Sequence, residues 1–138
     1  MDTRIFIIAG VFLLALILVW LGKQSVKRRI IRNRIPLSFE EIRQSMKIDV
    51  STESLARVLE TLGDIYRVNP QLLRPNDKLK DFFDLDSWSL GIGTEKLNKW
   101  LAEEGFTDVN PTPTTILDLV LLLEDRKLQS STSLPLSN

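Results

Sequence analysis

Hydrophobic and polar positions divide the chain into one unbroken apolar run and several shorter stretches with helical period. Ile5 to Leu21 is 17 residues without a charge, with only Gly10 among the large apolar side chains. With Gly22 the run is 18 residues, about 27 Å as a helix, just enough to cross the hydrocarbon core of a bilayer. A core helix of a water-soluble protein keeps a polar face, and this run has none. A cleaved signal places positive charge before its apolar run and small residues after it. Here the charge follows, and Val19-Trp20-Leu21-Gly22-Lys23 offers no cleavage site. The expectation is an uncleaved single-pass anchor, with Trp20 at the depth where interfacial aromatics lie.

Beyond Pro36 the pattern changes. Ser38-Phe39-Glu40-Glu41 has the spacing of a capping box. It predicts a short helix to about Lys47, with Phe39, Ile42 and Met46 on one face, packed on the body or on the membrane. A longer helix is expected from Ser51 or Thr52, because Leu55, Val58, Leu59, Leu62, Ile65 and Tyr66 recur at helical spacing. Asn69-Pro70 ends it. Residues 69–78 read as a loop with Leu72, Leu73 and Leu79 turned inward, and Leu79 to Phe83 as at most one helical turn. Residues 94–104 form the next helix, with Leu97, Trp100 and Leu101 facing in and Gly105 closing it. Ile116 to Glu124 is nearly all aliphatic and is expected to be the most buried element. Residues 129–138 (QSSTSLPLSN) read as a disordered tail. No stretch of useful length has a strand period. The expected fold is all-α: a transmembrane anchor over 1–22, a basic collar and short linking helix over 23–50, a small helical bundle over 51–128, and the tail.

Charge sharpens this division. The chain of 138 residues has 18 Lys+Arg and 18 Asp+Glu, but the balance is local. Residues 23–34 carry six bases (Lys23, Lys27, Arg28, Arg29, Arg32 and Arg34) and no acid, whereas residues 35–138 carry a net charge of −6. Bases after the apolar run place the collar and body in the cytoplasm, so the expected location is the cell (inner) membrane. Trp20, Lys23, Lys27, Arg28 and Arg29 are the anchor's interfacial residues. They act as a topology signal, as a lipid-headgroup contact worth about 1 kcal/mol per base, or as both. No aromatic side chain is interleaved among the bases, which disfavours nucleic acid.

The chain has no His and no Cys. That excludes Ser-His-Asp and Cys-His nucleophiles, thiolate or imidazole zinc sites, and haem ligation through either residue. Asp84 and Asp86 do not open a calcium loop, since Trp88 and Ser89 fall where an EF-hand needs an oxygen ligand and a glycine. Glu103 and Glu104 are adjacent and diverge on a helix, so they form no catalytic pair. Neither an enzyme nor a metal site is expected.

The sequence Leu79-Lys-Asp-Phe-Phe-Asp-Leu85-Asp86-Ser87, with Val68 upstream and Thr114-Thr115-Ile116-Leu-Asp-Leu119 downstream, resembles the acyl carrier proteins over about residues 52–125. The resemblance implies a four-helix carrier bundle in which Ser87 opens the second helix and bears 4'-phosphopantetheine. Asp86 would face the transferase that attaches the cofactor. A phosphodiester on a hydroxyl at a helix N-terminus meets favourable partial positive charge. Trp88 and Leu97 would help line an acyl-holding core, and the thiol would belong to the cofactor. The implied function is a membrane-anchored carrier serving a membrane-associated acyltransferase or lipid-modifying enzyme.

Some positions depart from that family. Leu85 and Asp84 stand where it usually has glycine, Trp88 where it has Leu or Met, and Gly91 and Gly93 lie inside its second helix. Lys96 and Lys99 interrupt the acids Glu95 and Glu103. These residues support an alternative: a carrier-like fold without cofactor, acting as a subunit or scaffold of a membrane complex. Trp88, Leu90 and Glu95 would meet the protein partner. Oligomeric state stays open, because Leu14 denies Gly10 a Gly-x-x-x-Gly partner.

Overall fold

A computed structural model describes residues 3–87, 91–107 and 112–132, apart from the side chains of Val26, Asp86 and Ser87. The described residues form six α-helices: α1 (Thr3–Ile31), α2 (Phe39–Ser45), α3 (Thr52–Tyr66), α4 (Leu79–Ser87), α5 (Ile92–Glu103) and α6 (Ile116–Thr132), with a 3-10 turn at Pro70–Leu72. No strand forms among them; the one β-type contact is an isolated bridge between Lys78 and Thr115.

α1 is long and apolar enough to cross a membrane, with a mean hydropathy of 2.9 over its most apolar 18 residues, none of them buried in the protein. It does not stop at Gly22. The helix runs unbroken through the collar to Ile31 and closes with Asn33 in a left-handed conformation.

α3 is the centre of the body. Ser51 caps its start by accepting from the Ser54 backbone, and its apolar stripe places Leu55, Val58, Leu59 and Leu62 fully out of solvent. α2, α4, α5, α6 and the 3-10 turn all pack on it. The turn comes close because residue 63 is glycine: a Cβ there would lie 2.7 Å from Pro70 Cγ and from the Val68 carbonyl oxygen. α2 has the capping box its sequence predicts, with reciprocal bonds between Ser38 and Glu41. It packs on α3 rather than standing apart, and Ile42 is fully buried.

Several elements differ from expectation. α4 is nine residues long rather than one turn, because Leu79, Phe82 and Leu85 recur every third residue and are all buried. α5 starts at Ile92, two residues early, after Gly91 in a left-handed conformation (φ 78°). α3 ends on a left-handed Arg67, before Asn69-Pro70, and α2 ends at Ser45. The most buried helix is α3, not α6: Leu117, Leu121 and Leu122 of α6 are only partly covered. α6 continues to Thr132, so residues 129–132 of the expected tail are helical. Residues 133–138 lie outside the described residues.

The start of α6 has its own capping box. Thr115 Oγ1 accepts from the Asp118 backbone, while the Asp118 carboxylate accepts from the backbone N–H groups of Thr114 and Thr115 at 2.8 and 3.0 Å. The Thr114 backbone bond is the main reason that the Asp118 carboxyl is held below its ordinary pKa of 3.8. A lowered carboxylate pKa contributes stability above the ordinary value and loses it as the pH falls through the folded-state value. Asp118→Asn is expected to cost about 1 kcal/mol at neutral pH. Urea titrations followed by tryptophan fluorescence should show the variant and parent converging as the pH falls below 3.8.

Candidate functional site

Two regions hold the residues singled out in the sequence: the end of α4 with the segment that follows, and the collar where α1 meets the body.

Ser87 is the last described residue of α4, with Asp86 just before it. The backbone places Ser87 in the third turn of a helix that starts at Leu79. The carrier resemblance implies a serine that opens a helix. Trp88 and Leu90 lie outside the described residues, as do the side chains of Asp86 and Ser87. Glu95 is exposed on the first turn of α5. Flanking the segment, Phe83 is 40% exposed and Ile92 53% exposed, so an apolar surface borders it on both sides. Beside α4, Leu97 lines a groove of about 380 Å³ with Leu79, Phe83, Leu101, Phe106 and Leu119. Among the described residues no cluster of acids is arranged to hold a metal ion.

The collar does more than carry interfacial bases. Ile30 is only 4% exposed and belongs to the body's hydrophobic core, where α1 packs against α4. Lys27 Nζ donates to the Arg67 carbonyl at 2.8 Å, an acceptor left free where α3 ends. Arg34 makes a two-pronged contact with Asp77: Nη1 to Oδ2 at 2.6 Å and Nη2 to Oδ1 at 2.7 Å. Nη1 also donates to the Leu72 carbonyl at 3.1 Å. The carboxylate holds the Arg34 pKa above its ordinary value.

Asp77 does more than pair with Arg34. Its Oδ2 accepts from the Arg74 backbone at 2.8 Å, and its carbonyl accepts from the Ile116 backbone at 3.1 Å. The Arg74 guanidinium donates to the Ile35 carbonyl at 2.6 Å, and Leu37 N–H to the Gln71 carbonyl at 3.0 Å. The chain leaving α1 is thus stitched to the 69–78 loop, and that loop to the start of α6. Burial and the neighbouring Arg34 hold the Arg74 pKa below its usual value.

The other anchor residues divide by face. Trp20 is 60% exposed, and Lys23, Arg28 and Arg29 are exposed as well. Sequence reasoning counted Arg34 only as one of six bases and did not single out Asp77 or Arg74. The available signal was an acid in a loop with two prolines, where a fixed backbone gives a carboxylate a fixed partner.

Comparisons of the chain with protein-family models, with curated proteins and with solved structures found no match.

Asp77→Ala leaves the Arg34 guanidinium without its carboxylate and removes a bond to the Arg74 backbone. The expected result is a loosened junction over residues 32–38. In proteoliposomes, limited trypsin digestion should cut the variant at Arg32 or Arg34 at least tenfold faster than the parent, a change of about 1.4 kcal/mol in local opening.

Proposed function

We propose that this protein is a membrane-tethered interaction module. A cofactor-free, carrier-like helical body is held on the cytoplasmic surface by α1 and serves as a subunit or scaffold of a membrane protein complex. The observation that carries this reading is the junction between α1 and the body, with Ile30 in the core and Arg34 on Asp77. A carrier that shuttles cargo between enzymes gains from a slack tether, because the reach of the linker sets which sites it can visit. A body clamped to its anchor gives up that reach and presents one face at a set height and orientation, which suits a stationary docking surface. The exposed side chains of Phe83 and Ile92, with Glu95 on the same helix end, favour a docking face around the α4–α5 segment. Trp88 and Leu90, in that segment, are the proposed anchors, since Trp is enriched at interface hot spots.

A second reading keeps the phosphopantetheine arm at Ser87, with Asp86 facing the transferase. Two features favour it: the Asp-Ser pair in register with Val68 and Thr114-Thr115, and the apolar groove beside α4 that Leu97 lines. The place of Ser87 inside α4, rather than at the opening of a helix, favours the cofactor-free reading.

The two readings differ by one covalent group. The intact mass of the full chain, purified from its native membranes and after co-expression with a broad-specificity phosphopantetheinyl transferase, is expected to be that of the unmodified protein. An increment of one phosphopantetheine that disappears in Ser87→Ala would overturn the cofactor-free reading in favour of the carrier. A photo-crosslinking amino acid at Phe83 or Ile92 is expected to give a discrete protein adduct in native membranes, absent when it replaces Lys127. Equal labelling at all three positions would contradict a docking face at the α4–α5 segment.

A further inference from the structure

Docking of the body on one face of α1 sorts the collar's bases into two sets. Ile30 and Lys27 lie on the docked face, and Arg34 follows them onto Asp77. Leu21, Ser25 and Arg28 follow one another at spacings of four and three residues, so they form a single stripe on α1, and Arg32 continues it in the turn that ends the helix. At 100° per residue this stripe lies on the side of α1 opposite Lys27 and Ile30. Arg29 and Gln24 flank it, and Trp20 stands at its membrane end.

These side chains enclose a shallow groove of about 820 Å³ lined by Trp20, Gln24, Ser25, Arg28, Arg29 and Arg32. Arg28, Arg29 and Arg32 make no ion pair or hydrogen bond among the described residues. They therefore differ from Arg34 and Arg74, which are spent on holding the body. The groove begins at the apolar run's last aromatic and extends just over three turns, about 18 Å, beyond it. Gln24 and Ser25 therefore lie in the headgroup layer and the arginines at its outer edge, from which long side chains reach back toward the phosphates. A guanidinium offers two parallel N–H donors to phosphate oxygens, which makes Arg a better phosphate ligand than a point charge.

We infer that the Arg28–Arg29–Arg32 face, with Gln24, Ser25 and Trp20, is a binding site for the phosphodiester headgroup of an anionic phospholipid. The site rests on the membrane reading of α1 and adds a selectivity that a topology signal alone does not need. Trp20 supplies the interfacial contact beside the acyl chains, and Ser25 and Gln24 supply neutral hydrogen-bond partners for the glycerol region. The three guanidiniums take the phosphate while repelling the quaternary ammonium that a choline headgroup sets beside the same phosphate. With the body on the opposite face, lipid and body clamp the same two turns of α1 from both sides.

The test uses the full chain in phosphatidylcholine nanodiscs containing about one-tenth phosphatidylglycerol. The phosphatidylglycerol retained on the protein after gentle detergent extraction is measured by native mass spectrometry. The parent is expected to retain it in excess over phosphatidylcholine. The triple variant R28Q/R29Q/R32Q should lose that preference by about tenfold or more, while keeping Lys23, Lys27 and Arg34 for insertion. R28K/R29K/R32K should lose part of it, and K96Q/K99Q/K127Q, with the same change of charge on the body, none. Added inorganic phosphate should leave the bound lipid in place; displacement by phosphate would make the groove a soluble-anion site and overturn the lipid assignment. Insertion into nanodiscs without any lipid preference overturns the headgroup site alone. Failure of α1 to insert into any bilayer overturns both the site and the tether on which it rests.

Discussion

The two-pronged contact between Arg34 and Asp77 is the interaction on which the rest of this architecture depends. Hydrophobic burial alone would assemble α2 to α6, but it would not decide how that body sits on the end of a 29-residue helix. One buried isoleucine, Ile30, supplies contact area without direction. The guanidinium–carboxylate fork supplies direction, because both hydrogen bonds close only at one relative orientation. Asp77 then passes that constraint on through its backbone to Ile116 at the head of α6 and through its side chain to the 69–78 loop.

Around that joint the body is organised on α3. Its stripe of aliphatic side chains meets every other helix of the body, so α3 is central where a simple hydrophobicity count favours α6. Aliphatic composition and burial differ here for a geometric reason. α6 is covered on one side only, and its remaining leucines stay half-exposed. α3 has neighbours on every side but the exposed face of Glu53, Arg57, Glu60 and Asp64, and Gly63 lets the 3-10 turn come close. The ion pairs at the periphery, Arg57 with Glu104 and Lys127 with Glu53, join α3 to the end of α5 and to α6. The Lys127–Glu53 pair is open to solvent and tunes the surface more than it holds it together, whereas Glu104 is mostly covered.

The apolar run, the helical class, the capping box at Ser38 and the stripe of α3 were legible in the sequence, because each is a local pattern with a fixed period. α4 is longer than the single turn its sequence suggests, although the signal is present: Leu79, Phe82 and Leu85 are three apart, and Asp86-Ser87 continues the same helix. The continuation of α6 through Arg126 and Lys127 was not legible, since Leu128 is the one apolar residue of its last two turns and a tail of the same composition looks alike. The junction of α1 with the body was the least legible feature of all. A run of six bases reads as one charged collar, and only long-range packing sorts Lys27 and Arg34 from Arg28, Arg29 and Arg32. Trp88 and Leu90 lie outside the described residues, so the proposed docking face is built from their neighbours Phe83, Ile92 and Glu95.

A body fixed to its membrane helix and a body swinging from it make different demands on a partner, and the fixed geometry is the claim that organises this account. The chain has no native cysteine, so spin labels can be placed cleanly at Ser25→Cys on α1 and Glu60→Cys on α3. Pulsed electron–electron distance measurement on the doubly labelled full chain in liposomes tests that claim most directly. A fixed junction gives one narrow distance distribution that broadens when Asp77→Ala is added. A broad distribution in the otherwise unaltered protein, unchanged by Asp77→Ala, would contradict it.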